Sequence, residues 1–209
     1  MQLKVVCKNH CNSGWMSRLE TRVKPILIPL LGGCSTVLTH YDQEVLATWI
    51  SMKLMTCEFS VPEDVATPAT ERTLLMGRRI PPEITAIWIG HYKGTGWGNV
   101  YVRHAASVGF APVGTFPVIP SKELLVKNVQ AQTFFIGELF VQAVTTTVRQ
   151  LVFQTPPAFV HQLRQIWPYR TDYSWPPQTP LFDFHAHLLV AGFDRFIATL
   201  PVAPGAATS

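Results

Sequence analysis

Gln130-Ala-Gln-Thr-Phe-Phe-Ile-Gly-Glu-Leu-Phe-Val-Gln-Ala-Val-Thr-Thr146 is a long, mostly β-favouring run. Its alternation places Phe135, Gly137, Leu139, Val141 and Ala143 on one side, the pattern of a strand with one buried face. Gly137 reads as a bulge within it. Val148 to Phe153 is expected to pair back onto the run through the Thr145-Thr-Thr147 turn. Upstream, Ile84, Ala86 and Trp88 alternate with Thr85, Ile87 and Ile89, so that segment reads as a strand buried on both faces. Asn99 to His104 reads as another strand, and Lys93-Gly-Thr-Gly-Trp-Gly98 as the turn of a hairpin joining the two. Residues 107–120 read as a loop with a short strand at Pro117 to Ile119.

The N-terminal part has the helical period. Trp15, Leu19, Val23, Ile26 and Leu30 recur at three- and four-residue intervals, with Asn12 or Ser13 to cap the helix and Gly32-Gly33 to end it. Pro25 and Pro29 each remove a backbone donor, which predicts a kink near Lys24. Thr39 to Asp42 supplies capping side chains for a second amphipathic helix reaching about Phe59. A short helix from Ala69 to Met76 stops at Gly77, and another is expected over Ala158 to Ile166. Trp167-Pro168 and Trp175-Pro-Pro177 read as extended chain lying over the sheet. The fold class is therefore α+β: a half zinc knuckle and two to three helices over 1–60, a mostly antiparallel sheet domain with helices over 61–200, and a flexible tail over 201–209.

Bulk properties narrow the function classes. Of the 209 residues, 47% are hydrophobic and 14% charged, a globular composition and not a disordered one. The net charge of +4 permits contact with nucleic acid but is dilute for a dedicated binder. No apolar stretch reaches the roughly 18 residues of a membrane span, so no membrane partner is expected. The start of the chain has no apolar signal-peptide core, which places the protein in the cytoplasm with reduced thiols.

One segment carries chemistry: Cys7-Lys-Asn-His-Cys11-Asn-Ser-Gly-Trp-Met-Ser-Arg-Leu-Glu20. Two thiolates with three residues between them can grip one zinc ion, and His10 can add a third ligand, whereas a closed structural site needs four. The segment reads either as a half-knuckle pinning the turn to the helix that follows or as two free, reduced cysteines in a loop. A disulfide across so small a loop is the least favoured reading. Cys34 and Cys57 lie in apolar sequence and read as buried thiols.

The string Cys-x-x-x-Cys-Asn-x-Gly-Trp-Met-x-x-Leu-Glu resembles an element of HNH-endonuclease-like proteins of bacteria and phages. Leu46-Ala-Thr-Trp49, Arg79-Ile-Pro-Pro82, Trp88-Ile-Gly90, Ile166-Trp-Pro168 and Trp175-Pro-Pro177 extend that similarity thinly over about positions 5 to 180. The resemblance implies structural zinc at Cys7, Cys11 and His10, with Asn12 at the place where such sites hold a divalent ion. In that family a first Cys-x-x-Cys and a Glu-His segment precede the second cysteine pair, and the pair is spaced Cys-x-x-Cys. Here six residues precede Cys7, so the catalytic histidine has no counterpart. Metal-assisted phosphodiester cleavage needs both the ion and a base for water, and an asparagine supplies no base. The sequence thus points to a truncated, inactive relative of a metal-dependent HNH endonuclease, with residual metal and DNA binding. The alternative is a non-catalytic protein-interaction or structural module with a vestigial cysteine pair and a tendency to form homo-oligomers.

Other candidates follow from residue type. Lys93 and Arg103, with His91 and His104, offer a modest basic surface flanked by Tyr92, Trp97 and Tyr101 for base stacking; a solvated sheet face is the plainer reading. The glycine-rich stretch at 93–98 lacks the Gly-Lys-Ser/Thr ending of a phosphate loop. His185 and His187, with Asp183, suggest a metal site, but residues two apart share a face of a strand and not of a helix, and no third partner of known geometry is in view.

Overall fold

The computed structural model describes residues 11–109, 126–169 and 171–199. It is an α+β fold in which a mostly antiparallel sheet is covered on both faces. The helices are α1 (Ser17–Leu31), α2 (His40–Cys57), α3 (Ala69–Arg78) and α4 (Asp183–Thr199). The strands are β1 (Thr36–Leu38), β2 (Thr85–His91), β3 (Tyr101–Ala106), β4 (Val129–Ile136), β5 (Leu139–Thr146), β6 (Leu163–Trp167) and β7 (Tyr173–Trp175). Five of them form a sheet in the order β3-β4-β5-β2-β6, and β1 pairs with β7 in a separate ribbon.

Pleating explains the two covered faces, because successive side chains of a strand point to opposite sides. Ile87 and Ile89 of β2 and Leu139 and Val141 of β5 pack with Leu19 and Val23 of α1 and Leu46 and Ile50 of α2. Trp88 of β2 and Phe140 of β5 face the other way and pack with Ala186, Leu189 and Phe193 of α4. Burial of each such large apolar side chain contributes about 1.5–3 kcal/mol. Helices α1 and α2 and the sheet therefore share one core where they meet.

Several sequence expectations are corrected. The run 130–146 is two strands and not one: Gly137, at φ +54, turns the chain, so Ile136 pairs with Leu139 and Val129 with Thr146. Segment 148–153 forms no strand. The expected β2–β3 hairpin is absent as well, since β2 pairs with β5 and β6 while β3 pairs with β4. The expected helix over Ala158 to Ile166 is a single 3-10 turn, Pro157–Phe159, followed by β6. The expected strand at Pro117 to Ile119 lies outside the described residues.

The helix ends obey local chemistry. Thr39 and Asp42 form a reciprocal capping box at the start of α2. Helix α1 runs unbroken through Pro25 and Pro29. Pro25 lies on the exposed face, where the carbonyl that lost its amide partner meets water. The end of α2 carries a buried carboxylate, Glu58, which accepts hydrogen bonds from the Thr67 amide (3.1 Å), the Thr67 hydroxyl and Gln130 Nε2 (2.6 Å), with Arg72 at 3.8 Å. The β4–β5 turn docks on the end of α1, where the Glu138 amide donates to the Leu31 carbonyl at 2.9 Å.

A β-carbon at Gly137 would sit 2.5 Å from the Leu31 carbonyl oxygen, in a backbone conformation that already disfavours side chains. Gly137→Ala is expected to destabilise the fold by about 1–3 kcal/mol. Gly77→Ala, in α3 with nothing within 4 Å of the added carbon, is expected to be neutral or stabilising by up to about 1 kcal/mol. Urea midpoints at unchanged slope measure both.

Candidate functional site

Cys7 and His10 lie outside the described residues. Cys11 is buried, 7% exposed, and disulfide-bonded. The expectation of two reduced cysteines is corrected at this position: a sulfur in a disulfide is not the thiolate that a zinc knuckle uses, so metal ligation there requires the reduced form. Asn12 is exposed at the start of a π-turn, Asn12–Met16, that leads into α1. Behind Cys11 lies an apolar cleft of about 260 Å³, walled by Met16, Met52, Met55 and Met76, four of the five methionines. Cys57 is half-buried, and burial pushes its thiol up, whereas Cys34 is exposed and not the buried thiol expected. Among the described residues, no group of three or more His, Cys, Asp or Glu is placed to hold a metal ion.

The proposed nucleic-acid contacts do not share one patch of free charge. Lys93 Nζ pairs with the Glu138 carboxylate at 2.8 Å. Arg103 donates through Nε to Gln130 Oε1 at 2.9 Å and through a terminal nitrogen to the Asp64 carbonyl.

The glycine-rich loop holds an anion of the chain's own. Asp183, the first residue of α4, accepts the Tyr92 hydroxyl, the Gly96 amide at 3.0 Å and the Thr95 amide at 3.4 Å. The Tyr92 hydrogen bond first, then the Gly96 amide, holds the Asp183 carboxyl below its usual range. His185 and His187 share this helix but not this site: His185 Nδ1 accepts the Phe182 amide at 3.1 Å, and the His187 ring lies against Trp97.

At the end of β2, buried His91 meets Glu138 through Nε2 at 2.7 Å, and Lys93 binds the same carboxylate. The cluster closes over Gly33, where any β-carbon would strike Glu138 Oε2. Lys93 first, then His91, holds the Glu138 carboxyl below its ordinary value.

A wide opening lies between β6 and β7. These consecutive strands are joined by residues 168–172 but do not pair with each other. The loop is pinned to α2 by Gln43 Nε2, which donates to Thr171 O at 2.9 Å, and by the His40 amide, which donates to Asp172 Oδ1 at 3.1 Å. The gap is a groove of about 790 Å³ with Arg164, His161, Ser35, Ser174 and Tyr173 in its walls. Arg164 lies over the Tyr173 ring at 5.1 Å, and one terminal nitrogen donates to the Thr171 hydroxyl. Its Nε is buried without a hydrogen-bond partner among the described residues. Sequence reading passed over Arg164. The available signal was the pair of Trp-Pro steps, since proline lacks the amide that continued strand pairing requires.

Comparison with family models, curated proteins and solved structures returns no match.

The folded Glu138 carboxyl titrates below its unfolded value, so its contribution is complete above the ordinary carboxylate range and disappears as pH falls through the lowered value. Glu138→Gln is therefore expected to flatten the acid limb of the stability curve. Urea midpoints of the two proteins across the acid range check this; parallel curves would exclude a contribution from the cluster.

Proposed function

We propose that this chain is a non-catalytic interaction module that binds an extended segment of another protein between β6 and β7, on a framework related to HNH-endonuclease-like proteins. One observation carries the reading. Two strands that follow each other in the chain stand apart, each paired on one side only, around a groove of about 790 Å³. A strand edge presents a row of amide and carbonyl groups that a second chain can pair with. On this reading the cysteine pair is a relic of the metal knuckle, and the disulfide at Cys11 keeps that sulfur from ligating zinc.

The net charge of +4 favours a second reading, in which the groove receives a nucleic-acid strand. Short peptides selected from a random library on the folded protein are the test. They are expected to bind the wild type and to lose roughly tenfold or more in affinity, about 1.4 kcal/mol, when Ser174→Trp fills the groove. Binders indifferent to that plug would overturn the reading. So would metal-dependent cleavage of plasmid DNA by the pure protein that vanishes on Asn12→Ala, which would restore a nuclease.

A further inference from the structure

We infer that the segment received between β6 and β7 is an extended peptide bearing a carboxylate side chain, and that Arg164 is the residue that takes it. The inference rests on the interaction reading and adds the chemistry of the partner.

The backbone supplies the first part of the argument. The five-stranded sheet ends at β6, and the β1–β7 ribbon lies across the groove from it. An inserted strand would pair with an edge and continue the sheet at the ordinary strand spacing of about 4.8 Å. Exposed Val37, at 57%, and Val160, at 52%, flank the groove and offer apolar contact to the alternating side chains of such a strand.

Charge supplies the second part. Among the described residues the groove walls contain the guanidinium of Arg164 and the imidazole of His161, and no Asp or Glu. The carboxylate nearest in sequence, Asp172, is committed elsewhere: it accepts the His40 amide at 3.1 Å and the Tyr169 hydroxyl at 3.2 Å. Arg164 is held by its neighbours and still has donors to give. A guanidinium has five N–H groups in a planar fork that matches a carboxylate, and the described contacts use one of them, on Thr171. The Tyr173 ring beneath it fixes the plane of that fork.

A nucleic-acid strand fits these features less well. Phosphate polymers are gripped by several cations in a row, whereas among the described residues one guanidinium lines this groove. A sugar-phosphate chain also cannot return the alternating amide and carbonyl pairing that a strand edge offers.

The probes are short fluorescent peptides of alternating Thr and Val with a central Glu, Gln or Lys, a Glu peptide N-methylated at alternate amides, and a short oligothymidylate. The Glu peptide is expected to bind roughly tenfold tighter than the Lys peptide. Arg164→Glu should reverse that order, and alternate N-methylation should abolish binding. Because the Glu-to-Lys exchange is made in the peptide, the comparison stands on wild-type protein even if Arg164→Glu fails to fold. Equal affinity for the Glu and Lys peptides, with binding still blocked by Ser174→Trp, would overturn the carboxylate inference and leave the interaction reading standing. Undiminished binding of the N-methylated peptide would overturn strand pairing. Failure of every peptide, with oligothymidylate binding that depends on Arg164, would overturn both in favour of nucleic acid.

Discussion

β2 is apolar on both of its faces, and that obliges the chain to supply a helical layer on each side of the sheet. Ile87 and Ile89 look toward α1 and α2, while Trp88 looks toward α4. Neither face of β2 can be left to water, because a large aromatic or branched side chain gains about 1.5–3 kcal/mol on burial. Helices α1 and α2 on one side and α4 on the other are therefore brought to opposite faces of one sheet. The sheet order follows from the same demand: β2 takes an inner position between β5 and β6, and β3 and β6 become the edges.

The layers are fastened together by polar contacts whose partners are far apart in sequence. The β4–β5 turn bonds the end of α1 through its backbone, and the Glu138 carboxylate gathers His91 and Lys93 from the end of β2. On the opposite flank, buried Glu58 is satisfied by Thr67 and Gln130 and thereby joins the end of α2 to β4. A carboxylate as deeply buried as Glu58 is tolerable in a dry interior because these partners satisfy it.

Local signals made α1, α2, α3 and the doubly buried strand legible. The Thr39–Asp42 cap and the spacing of Leu19, Val23 and Leu30 act within a few residues, and both appear in the structure where the sequence places them. Strand pairing is decided by longer-range competition, and there local reading failed. Gly94 to Gly98 has the composition of a hairpin turn, but its amides are drawn to Asp183 instead, and the two strands it separates pair elsewhere. Gly137 reads locally as a bulge, but in the structure it forms a turn docked on Leu31. The stretch that became α4 carries two histidines and a glycine, which hid its helical period, and its cover of Trp88 is a tertiary fact. Arg164 was passed over for the same reason: a lone arginine between Leu163 and Gln165 shows no role until the gap beside it is seen.

The position of α4 in chain order has a consequence for synthesis. Every strand leaves the ribosome before this helix does, so the sheet surface carrying Trp88, Phe135 and Phe140 is made well before the helix that buries it. During that interval the nascent protein exposes an aromatic face together with unpaired strand borders, the combination from which misassembly and chaperone capture begin. The clasp between Asp183 and the Tyr92–Gly96 loop ties the incoming helix to a part of the molecule made long before it.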